Sequence, residues 1–229
     1  LMSVEAIIIA RGGSKGIPEK NIIDFCGKPL ITWTIEQCLA SKEIDSVWVS
    51  SDDQKILNIA EESGSEILLR PDELSTDLAT SESAWINAID QLRDRNITPE
   101  LIIAPQVTSP LRESLDFDNA VVKFLKGDYD SMFSCCPVED LFFWEKSKDG
   151  TLESVNYDYQ NRKRRQEISN KYIENGSFYL FTPESLLVNS NRFGKRVGLI
   201  EMEFWKMFEI DSLEDCRMCS ALMKEYIIK

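Results

Sequence analysis

Glu5-Ala6-Ile7-Ile8-Ile9-Ala10 runs directly into Arg11-Gly12-Gly13-Ser14-Lys15-Gly16-Ile17-Pro18-Glu19-Lys20-Asn21. The first six residues read as a short strand, because a nearly unbroken apolar run is what a parallel sheet covered on both faces requires. The loop that follows packs three glycines with three cations. Glycine lets backbone N–H groups approach an oxyanion, and Arg11, Lys15 and Lys20 carry charge that neutralises phosphate. Its spacing matches neither G-x-x-x-x-G-K-[ST] nor G-x-G-x-x-G, so neither common phosphate-loop signature applies.

Outward from that loop the pattern repeats. Residues 46–49, 66–69, 101–104 and 131–135 are further short apolar runs, separated by helical periodicity over 30–40, 54–62, 81–93 and 115–126. Alternating strand and helix predict an α/β fold with a doubly wound, mainly parallel sheet. The alternation breaks after Cys136. Residues 137–172 are polar, aromatic-rich and basic near their end, as expected of an inserted arm or oligomer contact, and strands resume at 177–181 and 199–203 before a closing helix over 213–227. Residues 1–229 thus read as a single domain with one insertion, long enough to bury its core without disulfides or a structural metal.

The balance of residue types excludes several functions. A net charge of -13 opposes a nucleic-acid partner, whose phosphates need a basic face, but leaves room for a small anion where cations converge locally. The apolar run 6–10 is too short and lacks the basic flank of a signal peptide. No stretch reaches the roughly 20 apolar residues that span a bilayer, so a cytoplasmic protein without membrane contact is expected. The chain has no histidine, which removes Ser-His-Asp and Cys-His catalysis and imidazole metal sites. Of the six cysteines only Cys216 and Cys219 have C-x-x-C spacing, within a helical pattern, and buried thiols are expected rather than zinc.

In open α/β sheets ligands bind beyond the carboxyl ends of the strands. That directs attention to residues 11–21, 50–53, 70–80, 105–112 and the segment before the last helix. The loop ARGGSKGIPEKN, residues 10–21, closely resembles the signature of the CMP-N-acylneuraminate and related CMP-sugar synthetases. Residues 105–112, PQVTSPLR, are similar to that family's Q-x-T-S-P-L-R loop, and residues 70–81 resemble its R-x-x-x-x-S-x-D-x-x-x-S stretch. Residues 129–134, YDSMFS, look like the strand that follows. Arg164-Arg165-Gln166, Tyr172-Ile173-Glu174-Asn175-Gly176-Ser177-Phe178-Tyr179 and Glu209-Ile210-Asp211 resemble its R-R-Q, Y-x-E-N-G-S-F-Y and D-I-D elements.

The resemblance implies a nucleotide-diphospho-sugar transferase (Rossmann-like) fold and a homodimer whose inserted arm serves dimerisation. It implies Mg²⁺-dependent attack by the anomeric hydroxyl of a nonulosonic acid on the α-phosphorus of CTP, with release of pyrophosphate. Arg11, Lys15 and Lys20 would hold the triphosphate, with Ala10, Gly12 and Ser14 on the same loop. Asn21, Arg70, Thr80 and Ser81 would bind cytidine, as suits groups that hydrogen-bond an exocyclic amine and hydroxyls. Gln106 and Tyr179 would face the sugar, and Arg165, with Arg164 the adjacent candidate, would fork its carboxylate. Asp211 would hold Mg²⁺, a hard ion that favours oxygen ligands and keeps several waters. Glu209 stands where members commonly carry Asp; its longer side chain can coordinate directly or through water.

Other features have plainer readings. Asp128-Tyr129-Asp130 spells the D-x-D of metal-dependent glycosyltransferases, yet it precedes a strand and so falls at the wrong end of the sheet. Asn175-Gly176-Ser177 fits a glycosylation acceptor that a cytoplasmic chain would not use. Phe142-Phe143-Trp144 and Phe204-Trp205 suit core or interface. The same chemistry on Kdo, legionaminate or pseudaminate, a nucleotide-sugar-dependent glycosyltransferase, and a catalytically silent regulatory homologue are the competing expectations.

Overall fold

The apolar runs become the middle of a seven-stranded sheet in the computed structural model, which describes residues 2–14, 16–139, 141–164 and 171–228. In chain order the elements are β1 (Val4–Ile9), the small hairpin β2 (Asp24–Phe25) and β3 (Lys28–Pro29), α1 (Leu30–Leu39), β4 (Ser46–Ser51), α2 (Gln54–Glu62), β5 (Glu66–Leu69) and α3 (Ser81–Asp94). There follow β6 (Leu101–Pro105), α4 (Ser114–Lys126), β7 (Ser131–Val138), β8 (Trp144–Lys146), β9 (Leu152–Ser154), β10 (Lys171–Phe181), α5 (Pro183–Asn189), β11 (Val197–Glu201) and α6 (Leu213–Tyr226).

The sheet order is β11-β7-β10-β6-β1-β4-β5. Every adjacent pair is parallel except the two made by β10, which runs antiparallel to β6 and β7. Neighbouring side chains on β1 point to opposite faces. Ile8 joins a core with Leu30, Ile35, Phe117 and Phe178, while Ile7 joins Trp48, Trp85, Ile89 and Phe181 on the other face. Apolar packing on both faces is what makes the fold doubly wound, as the unbroken runs predict.

The differences from expectation lie in the second half. The strand expected over 177–181 begins at Lys171, because polar residues and a register shift between Glu174 and Tyr179 interrupt its apolar pattern. The strand expected over 199–203 is Val197–Glu201, and α5 appears where no helix is expected, started by the Thr182 hydroxyl and by Pro183 in its first turn. The inserted segment is shorter than 137–172: β7 extends through Val138 and β10 reaches back to Lys171. Between them stands the β8–β9 hairpin, with Phe143, Trp144, Leu152 and Val155 exposed. Asp128 and Asp130 both pair with Arg196 at the amino end of β7. No helix among the described residues is long and apolar enough to cross a membrane.

Candidate active site

The loop after β1 is held down at several points. Ala10 donates its amide to Ser50 (3.0 Å), Gly12 donates to the Asp52 carboxylate (3.2 Å), and the Asn21 amide donates to the Arg11 carbonyl (3.0 Å). Two glycines are required by close packing. A Cβ on Gly12 would lie 2.5 Å from Asp53 Oδ2, and one on Gly16 would lie 2.9 Å from the Asp211 carbonyl. Glycine here brings the loop against the α2 cap and the Asp211 segment, whereas Gly13 has open space beside it.

Arg70, at the end of β5, is 4% exposed and reaches back under this loop. Its guanidinium donates to Ser75 Oγ (2.9 Å) and to the Ala10 carbonyl (3.3 Å), and lies 3.7 Å from Asp52. Burial lowers its pKa; Asp52 opposes that effect and nearby Arg11 adds to it. Arg11 is turned to the 70–80 loop, donating to Asp77 Oδ1 (3.0 Å) and the Thr76 carbonyl (3.3 Å). Thr80 caps α3 by accepting from the Ser83 amide, so the amino end of a 14-residue helix, with Ser81 first, opens beside these cations. A helix start of this kind favours a negatively charged or oxygen-rich ligand.

Gln106 follows β6, and its loop is fixed from below. Arg112, fully buried, donates to the carbonyls of Gln106 (3.0 Å), Ser109 (2.7 Å) and Ser177 (2.9 Å) and to Thr34 Oγ1 (2.6 Å). Gln37 of α1 donates to the Pro110 and Arg112 carbonyls from the same side. Asn175, 2% exposed, accepts from Ser134 Oγ and from the Ser177 amide, so it is a core brace and not a surface acceptor for sugar.

Asp211 arrives from the far end of the chain. The Ile210 amide donates to the Thr108 carbonyl (2.8 Å), which fastens this segment to the Gln106 loop, and Lys20 Nζ donates to Asp211 Oδ1 (2.9 Å). Asp215 spends its carboxylate on the amides of Asp211 and Ser212 and on the Ser212 hydroxyl, capping α6. Glu209 lies against Gly176, whose φ of 64° and missing Cβ leave room for the carboxylate. Burial raises the Glu209 pKa, and the negative charge of Asp211 raises it further.

A cavity of ≈ 520 Å³ at the carboxyl ends of the parallel strands gathers most of the expected residues: Ala10, Arg11, Ser14, Lys20, Asn21, Arg70, Thr80, Ser81 and Gln106 line it. Asp211 reaches its edge through Lys20. Gly12, against Asp53, and Glu209, against Gly176, do not line it, and Tyr179 is buried with its hydroxyl donating to Glu174 and its ring against Arg192 and Phe193. Arg164 lies on an exposed stretch and does not line the cavity, while Lys15 and Arg165 fall outside the described residues. Sequence analysis singled out the segments 50–53 and 70–81 without naming Asp52 or Asp77 as site residues, and it passed over Trp85; Asp52 directly follows β4 in Ser51-Asp52-Asp53, and Asp77 occupies the aspartate position of the 70–81 motif.

A cavity of this kind at strand carboxyl ends, walled by cations, a glycine loop and a helix start, belongs to a nucleotide-handling α/β protein. Two solved structures share the fold. CMP:2-keto-3-deoxy-manno-octonic acid synthetase complexed with CTP superposes with a TM-score of 0.72 at 14% identity, covering 98% of this chain and 100% of that one. A 4-diphosphocytidyl-2C-methyl-D-erythritol synthase gives 0.70 at 11% identity, covering 97% and 100%. The architecture is that of the Rossmann-like nucleotidyltransferases.

The chain belongs to the cytidylyltransferase family, whose sequence model matches residues 5–228. It is 36% identical over 181 residues to an N-acylneuraminate cytidylyltransferase of Oncorhynchus mykiss, covering 78% of this chain and 41% of that protein. It is 33% identical over 229 residues to one from Streptococcus agalactiae serotype III, covering 97% and 54%. A pseudaminic acid cytidylyltransferase of Campylobacter jejuni is 31% identical over 224 residues, covering 95% of each. The chain spans about half the length of the N-acylneuraminate relatives it matches.

Proposed function

We propose that this protein transfers CMP from CTP to a nonulosonic acid of the N-acylneuraminate type. The observation that carries the reading is the convergence of Arg11, Lys20, Asn21, Arg70, Thr80, Ser81 and Gln106 on one cavity in a chain of the cytidylyltransferase family. The bond from the anomeric oxygen to the α-phosphorus forms, the bond from that phosphorus to the bridging oxygen breaks, pyrophosphate leaves and the hydroxyl proton is released. Such a transfer asks the protein for in-line positioning and charge neutralisation rather than covalent participation.

Arg11 and Lys20 serve the triphosphate, with Lys15 beside them in sequence. Asn21, Arg70, Thr80 and Ser81 serve the nucleoside, and Gln106 the acceptor. Arg165, with Arg164 as the adjacent choice, forks the acceptor carboxylate, and Tyr179 supports that side. Asp211 and Glu209 are the candidate holders of Mg²⁺. Their oxygen donors fit a hard cation. Mg²⁺ is commonly held by one or two carboxylates together with phosphate and water. When bound, Mg²⁺ supplies charge stabilisation to the phosphates.

The exposed aromatic β8–β9 hairpin supports an inserted dimerisation arm on a single domain, and six unpaired cysteines support a reducing, cytoplasmic setting. The pseudaminic acid relative, matched along nearly its whole length, favours pseudaminate as the second reading.

Pyrophosphate release from CTP, measured across N-acetylneuraminate, legionaminate, pseudaminate and Kdo, tests the assignment. Turnover is expected to be highest with N-acetylneuraminate and to be lost in EDTA. A preference for pseudaminate moves the reading to the second acid, and no release with any acid rejects it. Arg165→Ala is expected to raise the acceptor KM and lower kcat by roughly tenfold to a hundredfold with little change for CTP. If Arg164→Ala does so instead, the fork moves one residue.

A further inference from the structure

Asn175-Gly176-Ser177 lies where β10 leaves its register. Between Glu174 and Tyr179 stand four residues, 175–178, whereas between their partners on β7, Cys135 and Phe133, stands Ser134 alone. The surplus makes a bulge, a device that gives up ladder hydrogen bonds and is over-represented beside active sites, where it re-aims neighbouring groups. Ser134 Oγ closes it, accepting from the Phe178 amide (2.9 Å) and donating to Asn175 Oδ1 (2.6 Å).

Each residue of the bulge holds a different part of the site. Asn175 Nδ2 donates to the Lys206 carbonyl (3.4 Å) and meets Met202 Sδ (3.3 Å), which pins the chain leading to Glu209. The Gly176 carbonyl accepts from Ser109 Oγ (3.4 Å) and the Ser177 carbonyl from the Gln106 amide (2.9 Å), which anchors the Gln106 loop. At the centre Gly176 has a φ of 64°, and a Cβ there would run into Glu209 Oε1. Both properties call for glycine, but the second does so only because Glu209 is there. One short stretch of β10 therefore touches the acceptor side of the site through its carbonyls and the Glu209–Asp211 segment through Asn175 and the bare Cα of Gly176.

We propose that Gly176 is a positioning residue: by lacking a Cβ it fixes where the Glu209 carboxylate stands, and the contacts of Asn175 and Ser177 tie that place to the Gln106 loop. The proposal rests on the reading of Asp211 and Glu209 as holders of Mg²⁺ given above. It also gives the longer side chain at 209 a seat. A carboxylate one methylene shorter needs less of that seat, so an aspartate at 209 tolerates a Cβ at 176 that a glutamate does not.

Gly176→Ala, Glu209→Asp and the double variant separate positioning from backbone strain. The metal's share of binding is read by calorimetry, without acceptor acid, as the ratio of CTP affinities in Mg²⁺ and in EDTA. Gly176→Ala is expected to shrink that ratio and to lower kcat by roughly tenfold to a hundredfold, with CTP affinity in EDTA and the acceptor KM both within about threefold of wild type. Adding Glu209→Asp should bring the ratio and kcat back to within about threefold of Glu209→Asp alone, while the unfolding midpoint stays lowered in both alanine variants because the left-handed φ remains. Equal losses from Gly176→Ala in the two backgrounds would make the glycine a conformational requirement only and overturn the proposal, as would an unchanged ratio in folded Gly176→Ala. Should that variant not fold, Ser134→Ala, which opens the bulge, is expected to shrink the ratio about threefold or more, and an unchanged ratio overturns the proposal. Wild type that binds CTP no tighter in Mg²⁺ than in EDTA rejects the metal reading and this proposal with it, whereas wild type that gains from Mg²⁺ yet releases no pyrophosphate with any acid rejects the acceptor reading alone.

Discussion

Two pairs of cations show how this fold separates what moves from what stays. Arg11 and Lys20 line the cavity, each bonded to a carboxylate that is at least half exposed, Asp77 and Asp211. Arg112 and Lys206 are buried. Arg112 is held by three carbonyls and a hydroxyl, and burial lowers its pKa to about 10, still well above neutrality. Lys206 is ringed by Glu113, Asp116 and Glu203 at 2.8–3.1 Å. An exposed pair is weak and exchangeable, so a phosphate can displace its carboxylate; a buried cation fixes backbone, because losing its partners leaves a charge away from water. The first pair is placed to change partners and the second to hold the Gln106 and Asp211 segments still.

That contrast can be broken by mutation. Asp211→Asn should lower the rate of pyrophosphate release on the order of a thousandfold, about 4 kcal/mol, while thermal unfolding stays where it was. A shifted unfolding midpoint with near-normal turnover would put Asp211 with the frame. Lys206→Met should do the reverse. It strands Asp116 in the interior and should reduce stability by about 3 kcal/mol in denaturant titration, with little effect on the CTP KM of the folded fraction. Lys20→Ala should weaken catalysis with CTP by roughly 1.5 to 3 kcal/mol, tenfold to a hundredfold, with acid preference intact. Altered preference between acids would show that Lys20 reaches beyond phosphate. The smallest effect belongs to Asp77→Asn. Releasing Arg11 from an exposed pair should change affinity for CTP by less than about 1 kcal/mol, toward tighter binding, and the gain should fade at high salt.

The first half of the fold was legible because β1, β4 and β6 are apolar runs buried on both faces, and such runs advertise themselves. The opening of β10 was not, since Lys171, Glu174 and Asn175 look like loop residues and Gly176 breaks the strand where Glu209 needs space. The cationic half of the site could be read from Arg11 and Lys20, whose charge beside glycine in an acidic chain calls for an anion. Asp52 and Asp77 escaped because carboxylates in an anion site look misplaced until their partners are seen: one fastens the loop amide near Arg70, the other holds Arg11. Trp85 escaped for a different reason. An aromatic on the inner face of a helix reads as core, and only its place in the cavity lining distinguishes it.

The Lys20–Asp211 contact spans 191 residues of chain, and the Ile210 amide meets Thr108 from nearly as far along the sequence as β6 lies from the start. Contacts between distant parts of a chain pay off only after the intervening loops have closed, which makes them late events in folding. On the ribosome, a nascent chain that has emerged through β10 already carries the glycine loop, Arg70 and Gln106, yet has neither Asp211 nor the backbone link that holds it. The cavity walls can therefore assemble first, and the carboxylate opposite Lys20 joins them only once the segment that follows β11 has been made.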